Sequence, residues 1–480
     1  MPQDVEMMPA KTAQDAEDPF LVTLDNDENP LTWRNSKKWT VTDILSATGF
    51  NRIMVSTIVA PALPTIIREF QMTPAEGNMA LSIYLLAAAI GPLFIGPLSE
   101  VYGRKPVLHI SNIWFLIWNI VCGFATTKGV LIGARFMSGF GASAIYALGG
   151  GVLADIWHPE QRGRTLGMFL LIPLLGAAVG PIIGGFIATR TQWRWSFWAT
   201  SAFQGVMIIV AAFTFEETHA PVLLKKKVRK LRKETSNDSY YALVEKAHGR
   251  KLKQVLGRAL HRPLRLLAFH PIIQISAIIG AFHYGLLYIL LATFADVWIT
   301  RYHQSAELSG LHYIALAGGE IAGSQVAGWL IDRIYRRAAA ASSDGIPSPE
   351  HRIPLAFAAR AIVPVGLLIY GWTVEYKQTW IAVDIGMFLA LFGMQMAGNA
   401  LQAYVMDIYT EYASSALAAS TFLTSMCGFL FPLFAPAMYK AMGYGWGNSL
   451  LAFLVLFIGI PMPMLLIKYG ERLRGRIQLD

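Results

Sequence analysis

Apolar runs long enough to cross a bilayer recur along this 480-residue chain, at about 40–64, 78–98, 107–126, 129–154, 165–188 and 195–215. A second set follows at about 270–297, 308–331, 353–373, 379–405, 415–438 and 447–468. A bilayer core takes about 20 apolar residues per helix, so the pattern predicts twelve helical spans, numbered in chain order. Polar stretches bound the two sets. Residues 1–38 read as a disordered tail, 216–265 as a basic connector and 469–480 as a second tail. The expected fold is an all-α membrane protein: a six-helix half over 39–215 and another over 266–468, pseudo-symmetric around a central cavity.

The two halves share a loop pattern between their second and third spans. Gly96-Pro97-Leu98-Ser99-Glu100-Val101-Tyr102-Gly103-Arg104-Lys105 has its counterpart in Gly328-Trp329-Leu330-Ile331-Asp332-Arg333-Ile334-Tyr335-Arg336-Arg337. Both read Gly-x-Leu-x-acid-x-x-x-Arg-base, with Tyr335 standing where the first copy has Gly103. Gly96 is expected to let neighbouring helices approach closely. Glu100 is expected to meet Arg104 or a helix N-terminus, in a contact that forms in one conformation and breaks in another. Lys105, Asp332 and Arg336 complete this expected gating loop.

Composition agrees with a membrane chain, at 54% apolar and only 15% charged residues, against about a quarter charged in soluble domains. Lys and Arg crowd the tails, the connector and the loops on their side, leaving only Arg68, Lys128, Arg190, Arg194, Arg301, Lys377 and Lys440 opposite. The positive-inside rule then places both termini in the cytoplasm. The opening is not of the secretory type, and the sequon Asn237-Asp238-Ser239 falls on the cytoplasmic side. Cys122 and Cys427 lie within apolar runs and read as packing residues. No basic stretch carries the interleaved aromatics of a nucleic-acid platform. No phosphate-binding glycine loop, nucleophile set or histidine pair at ligand spacing occurs. Neither metal, cofactor nor enzymatic activity is expected.

Charges inside spans are the candidates for chemistry, since each costs about 2.5–3.5 kcal/mol at a helix centre. Arg52 in span 1, Arg135 in span 4 and Glu320 in span 8 fall deep in their runs. Asp43 lies nearer the inner end of span 1 and Asp384 nearer the outer end of span 10. The economical arrangement pairs the arginines with Glu320 or another acid, so that protonation releases an arginine and shifts a conformational balance. His283 in span 7 joins them as a group able to titrate near neutral pH. Arg360 in span 9 reads as reaching toward the cytoplasmic surface. In span 5, Gly176, Gly180 and Gly184 recur at steps of four and share a face, and Pro181 can bend the helix there.

Taken together, these motifs resemble those of the major facilitator superfamily, and within it the fungal twelve-span drug:proton antiporters. The loop Gly96 to Pro106 is similar to that family's signature between spans 2 and 3. Arg135-x-x-Ser138-Gly139-x-Gly141-Ala142 is similar to its span 4 motif, with Ser138 in place of Gln. Gly176-x3-Gly180-Pro181-x2-Gly184-Gly185 resembles the span 5 motif associated with antiporters. The fungal subgroup is suggested by Asn29-Pro30-Leu31-Thr32-Trp33, Glu217-Thr218-His219-Ala220-Pro221, Tyr412-Ala413-Ser414-Ser415 and Gly445-Trp446-Gly447-Asn448.

The resemblance implies a monomeric, proton-coupled antiporter of the plasma membrane that exports small organic molecules. The alternatives are a proton symporter for a nutrient, or a sensor that moves nothing. It further implies that spans 1, 4, 7 and 10 line the cavity, which makes Tyr146, Tyr284, Tyr288, Gln395, Met396 and Asn399 the expected liners. The expected partners are a small-molecule substrate, protons and the lipid bilayer.

Overall fold

Among the described residues eleven stretches are long and apolar enough to cross a membrane, and one of them, Ser420–Arg474, holds two spans. Gly443, at φ +72°, divides that stretch into spans 11 and 12. The structure, a computed structural model, describes residues 20–25, 27–242, 257, 264–341, 348–409 and 413–474. The all-helical bundle with twelve spans is therefore as the sequence leads one to expect.

Several spans are broken, and each break frees backbone carbonyls that need donors from elsewhere. Span 1 is helical over Asn35–Thr57, passes through a 3-10 turn at Ala60–Ala62 and resumes over Leu63–Glu69. Pro61 lies in that turn and has no N–H to donate. Span 4 is Lys128–Ala142 followed by Ala144–Ile156, interrupted at Ser143. Span 2, Pro74–Tyr102, starts on a capping box between Thr73 and Glu76 and ends at Gly103, at φ +102°. Span 3 follows at once over Arg104–Gly123. Spans 5 and 6 are Pro159–Arg190 and Trp195–Thr214. Span 7, Pro271–Asp296, runs into a π-helical turn at Val297–Arg301. Spans 8, 9 and 10 are Ala306–Ala341, Ile353–Glu375 and Trp380–Ile408.

Within the halves, span 1 packs on span 5, span 9 on span 10, and span 7 on the span 11–12 stretch. Between the halves, span 2 meets the span 11–12 stretch and span 5 meets span 8. Apolar side chains such as Ile110, Ile117, Ile209, Phe213, Phe453 and Phe457 are exposed on the outside of the bundle, where lipid would cover them.

Residues 20–25 and 27–34, within the expected tail, lie as a strap against a connector helix, Ala220–Thr235. Val22 N–H donates to the Tyr241 carbonyl at 2.9 Å, and Tyr241 N–H donates to Phe20 at 3.0 Å. Val22, Leu224, Val228 and Ala242 form a small apolar cluster beneath. Lys227 donates to Asp25 and Glu28, each at 2.6 Å. Burial alone would lower its pKa, but these carboxylates outweigh that and raise it. Residues 1–19 lie outside the described residues. The end of the bundle carrying this strap is the connector end, and the opposite one the far end.

Candidate functional site

The two deepest arginines of the first half brace each other's helix breaks. The last turn of a helix leaves carbonyls without an intrahelical donor. In span 1 these include Val55 and Ser56, just before the break at Thr57. Arg135 of span 4 donates Nη1 to Val55 O at 2.8 Å and Nη2 to Ser56 O at 3.3 Å. It also donates to Ala80 O and Leu81 O of span 2, both at 3.1 Å. Reciprocally, Arg52 of span 1 donates Nη1 at 2.8 Å to Gly141 O, in the last turn before the Ser143 break. Its Nη2 donates to Asn112 Oδ1, and the guanidinium lies over the Phe115 ring at 4.4 Å.

This corrects the expectation that the central arginines pair with an acid. Both are fully buried and held by neutral acceptors. A cation at a helix C-terminus is electrostatically favourable, which supplies part of the compensation an acid would have given. Asp43, expected in the same network, is exposed on span 1.

Glu320 occupies a different place. It lines a small cavity with Ala177 and Ala178 of span 5, Leu291 of span 7, Tyr313 of its own span and Leu391 of span 10. Tyr284 and Tyr288 of span 7 are its electrostatic neighbours. Among the described residues it has neither hydrogen bond nor ion pair. Asp296, at the far end of span 7, is the other interior acid without a side-chain partner among them.

The expected liners divide. Tyr146 is 50% exposed although it sits mid-span, with Tyr284 of the other half, Tyr84 and Arg52 as neighbours. It therefore faces a space inside the bundle. Tyr284 and Tyr288 pack ring to ring at 5.1 Å, Tyr288 being the buried member. Gln395 Nε2 donates to Asn399 at 3.4 Å, and Asn399 donates to Ser324 of span 8 at 3.1 Å. Met396 is corrected to a core residue: it is 5% exposed and packs with Ala327, Ile331 and Ala400.

His283 and Arg360 line one pocket in the second half, with Leu286, Met394, Ala397 and Val455. Arg360, expected to reach the cytoplasmic surface, is instead 5% exposed. Its position faces the inside of its own half, so the stem has no route along lipid to the surface.

Contacts between the halves gather at the far end. Asn78 donates to Pro432 O at 2.8 Å. Arg190 of span 5 pairs with Glu307 of span 8. A Cβ on Gly310 would lie 2.7 Å from Pro181 O, so these backbones touch. Gly185 likewise faces Ala306. On the inner face of span 5, a Cβ on Gly176 would stand 2.6 Å from Phe50 O, and one on Gly180 2.8 Å from Met54 O. Gly184 abuts Ile58 in the same way, so these three glycines lie directly on the span 1 backbone.

Asp384, expected in the charge network near the outer end of span 10, belongs to a far-end cluster with a histidine. Its Oδ2 is 2.8 Å from His312 Nδ1, while Nε2 of that ring lies 3.0 Å from Gln304. The imidazole stacks on Trp298 at 3.6 Å and 7°. His312 carried no sequence signal beyond being a histidine near an end of span 8.

At the connector end, two further acids engage the start of span 3. Arg104 Nε pairs with Asp155 of span 4 at 3.3 Å and its Nη1 donates to Ser99 at 2.6 Å. The N-terminus of span 3 is capped by Glu217, which accepts from Arg104 N–H at 2.8 Å and Lys105 N–H at 3.2 Å. Glu100 is exposed. Gly96 faces open space, with nothing within 4 Å of a Cβ built there, so no close helix approach depends on it. Gly103 is the constrained glycine, by its φ and by the Glu217 carboxylate against it.

In the second copy Arg336 is exposed, and the Asp332 side chain lies outside the described residues. The equivalent bridge is Arg352–Asp407, between the start of span 9 and the end of span 10.

Residues 45–432 match the family model described as the Major Facilitator Superfamily. The chain is 49% identical over 422 residues to a "probable efflux pump mfs2" of Aspergillus flavus, covering 88% of this chain and 99% of the relative. It is 41% identical to "efflux pump vrtL" of Penicillium aethiopicum, covering 95% and 91%. In fold it is similar to the xylose transporter XylE from E. coli in a partially occluded inward open conformation. That match has a TM-score of 0.65 at 14% identity, over 91% of this chain and 98% of the other.

Proposed function

We propose that this chain, which belongs to the Major Facilitator Superfamily, exports small organic molecules in exchange for protons. It is a multi-pass membrane transporter and not an enzyme; direction and coupling are the proposed part. Export is supported by the relatives named as efflux pumps and by the span 5 glycine face, which the sequence likens to antiporters.

The observation that carries proton coupling is Glu320: a mid-span carboxyl on a cavity wall, beside Tyr284 and Tyr288, without an arginine to hold it ionised. An unpaired carboxylate is costly in a span, so its charge state is easily changed by access to water on one side or the other. The coupling first suggested by the sequence, release of an arginine, does not fit, because Arg52 and Arg135 are bound to carbonyls and Asn112. Protonation of Glu320 itself is the charge change.

The far end is shut by the contacts of spans 2, 5, 8 and 11, and Tyr146 opens on an internal space. With the connector end in the cytoplasm, this is an inward-facing arrangement ready to take substrate from inside. Loss of a proton from Glu320 accompanies substrate entry; uptake of a proton from outside follows release, and the two halves rock between. Each chain carries a complete cavity, which suits a monomer, and a plasma-membrane location fits export from the cell.

The test is cellular accumulation of a mixed panel of lipophilic, cationic and polyamine compounds, with and without the chain, each repeated with a protonophore. Lower accumulation that a protonophore abolishes is expected. Raised accumulation would establish uptake instead.

A further inference from the structure

The connector helix Ala220–Thr235 has two opposed faces. Leu224, Val228 and Leu231 recur at i, i+4 and i+7 and share one of them. That face is covered: Val22, Leu24, Tyr240 and Ala242 pack on it. Lys227 at its edge is taken by Asp25 and Glu28 of the strap. Lys226, Arg229, Lys230 and Lys233 recur at i, i+3, i+4 and i+7 and share the other face. All four are exposed. Among the described residues the one ion pair on this stripe is Lys230–Glu234, at 3.8 Å with both side chains in solvent, which neutralises little. The strap's acids serve the covered side, and the open side is left as a row of cations.

Charge that only sets topology has no need to line up. The positive-inside rule counts Lys and Arg near the span ends and is indifferent to the helix face that carries them. The place of the helix says what the stripe meets. Span 6 ends at Thr214, with Phe213 exposed on the outside of the bundle, where lipid would cover it. Glu217 accepts from the first N–H groups of span 3, and Thr218 Oγ1 donates to Asp155 near the end of span 4 at 3.1 Å. The helix therefore starts where spans 3, 4 and 6 reach the membrane surface, beside the lipid headgroups. It carries no aromatic residue, so it offers no stacking platform to nucleic acid. Its apolar face is occupied, so it cannot sink into the acyl region as a bare amphipathic helix does. What remains is electrostatic attraction to anionic headgroups.

We propose that the stripe of Lys226, Arg229, Lys230 and Lys233 docks on anionic lipid headgroups in the leaflet at the connector end, with the strap covering the opposite face. Under the orientation proposed above, that leaflet is the cytoplasmic one. Docking concerns how the connector sits on the membrane and is independent of what the bundle moves.

The full chain is reconstituted in nanodiscs of phosphatidylcholine, with and without phosphatidylserine. Lysines are acetylated by a water-soluble reagent, and the rate at each is read by peptide mass spectrometry. Lys226, Lys230 and Lys233 should react slower by about fivefold or more in the phosphatidylserine discs. The difference should vanish at about 1 M salt, where the Debye length is about 3 Å. Lys468, exposed at the same end in the last helix, is the reference for a general surface effect and should slow much less. Arg229→Glu combined with Lys233→Glu should return Lys226 and Lys230 to their rates in phosphatidylcholine. Unchanged hydrogen exchange in the peptides holding Val22 and Tyr241 would show that the strap stays in place in that variant. Poly-glutamate added to phosphatidylcholine discs stands for an acidic protein partner, and should slow the stripe less than phosphatidylserine does.

Equal rates in the two kinds of disc, slowing that persists at high salt or is shared equally by Lys468, or slowing that survives the double variant would each overturn docking on lipid. Stronger slowing by poly-glutamate than by phosphatidylserine would overturn it in favour of an acidic polypeptide.

Discussion

Arg135 shows how a charge can be affordable in a span without an acid. Its donors end on four carbonyls, two of them left over by the break in span 1. Arg135→Gln strands Val55 and Ser56, and buried acceptors left unpaired cost about 1–3 kcal/mol each. A marked fall in the thermal midpoint is expected, with Arg135→Lys intermediate because an ammonium cannot span both sites. A midpoint unchanged in Arg135→Gln would contradict the bracing role. The depth of Arg52 and Arg135 was legible as single charges in apolar runs. Their acceptors were not, because which carbonyls a guanidinium reaches depends on how spans 1, 2 and 4 pack, and Ser143 gives no strong signal of the break beside Gly141. The same limit hid Arg360: its burial depends on how spans 7, 9, 10 and 12 assemble, which no local pattern encodes.

At the scale of elements, two helix junctions use one device. Gly103 and Gly443 are the described glycines with positive φ, and each is followed by backbone N–H groups aimed at a carboxylate from elsewhere in the chain. Glu217 caps span 3, and Glu375 accepts from Tyr444 N–H at 2.6 Å and Gly445 N–H at 3.1 Å at the start of span 12. Removing a helix cap costs about 1 kcal/mol, so Glu217→Ala and Glu375→Ala should each lower the unfolding midpoint, while Glu217→Gln, which keeps an acceptor, should lower it less. Equal midpoints for Ala and wild type would show that the caps are incidental.

Span 5 gives a second prediction at this scale. Gly180→Val forces side-chain bulk against Thr57 and Met54, so both stability and export should fall; an active, stable variant would contradict backbone contact between spans 1 and 5. The glycine steps of four are legible in the chain itself, because a helical face needs only the 3.6-residue repeat. Glu217 was readable as a motif residue but not as a cap, since its partner lies more than a hundred residues away.

The whole molecule keeps its pseudo-symmetry in the connector-end bridges. Arg104–Asp155 joins spans 3 and 4, and Arg352–Asp407 joins spans 9 and 10, even though the second loop copy has lost its glycine. The twelve spans and two halves were plain in hydropathy, whereas the pairing of Arg104 with Asp155 depends on tertiary approach.

The far end is held partly by Arg190–Glu307, whose arginine side chain is 71% exposed. A pair this exposed is screened by solvent and holds only weakly. Glu307→Gln should therefore shift the balance only a few-fold toward the outward-facing state. Labelling of Tyr146→Cys by an impermeant maleimide from the connector side should slow by that factor. No change in rate, or faster labelling, would mean that the pair does not help shut the far end.

The central claim, proton exchange through Glu320, is tested most directly in everted membrane vesicles acidified inside by respiration, with lumenal pH followed by a pH-sensitive dye. The compound panel is added to vesicles carrying wild type, Glu320→Gln or Asp296→Asn. The account predicts that at least one compound dissipates the gradient in wild-type and Asp296→Asn vesicles and none does in Glu320→Gln vesicles. Dissipation that persists in Glu320→Gln, or a wild type that dissipates it for no compound, would contradict it.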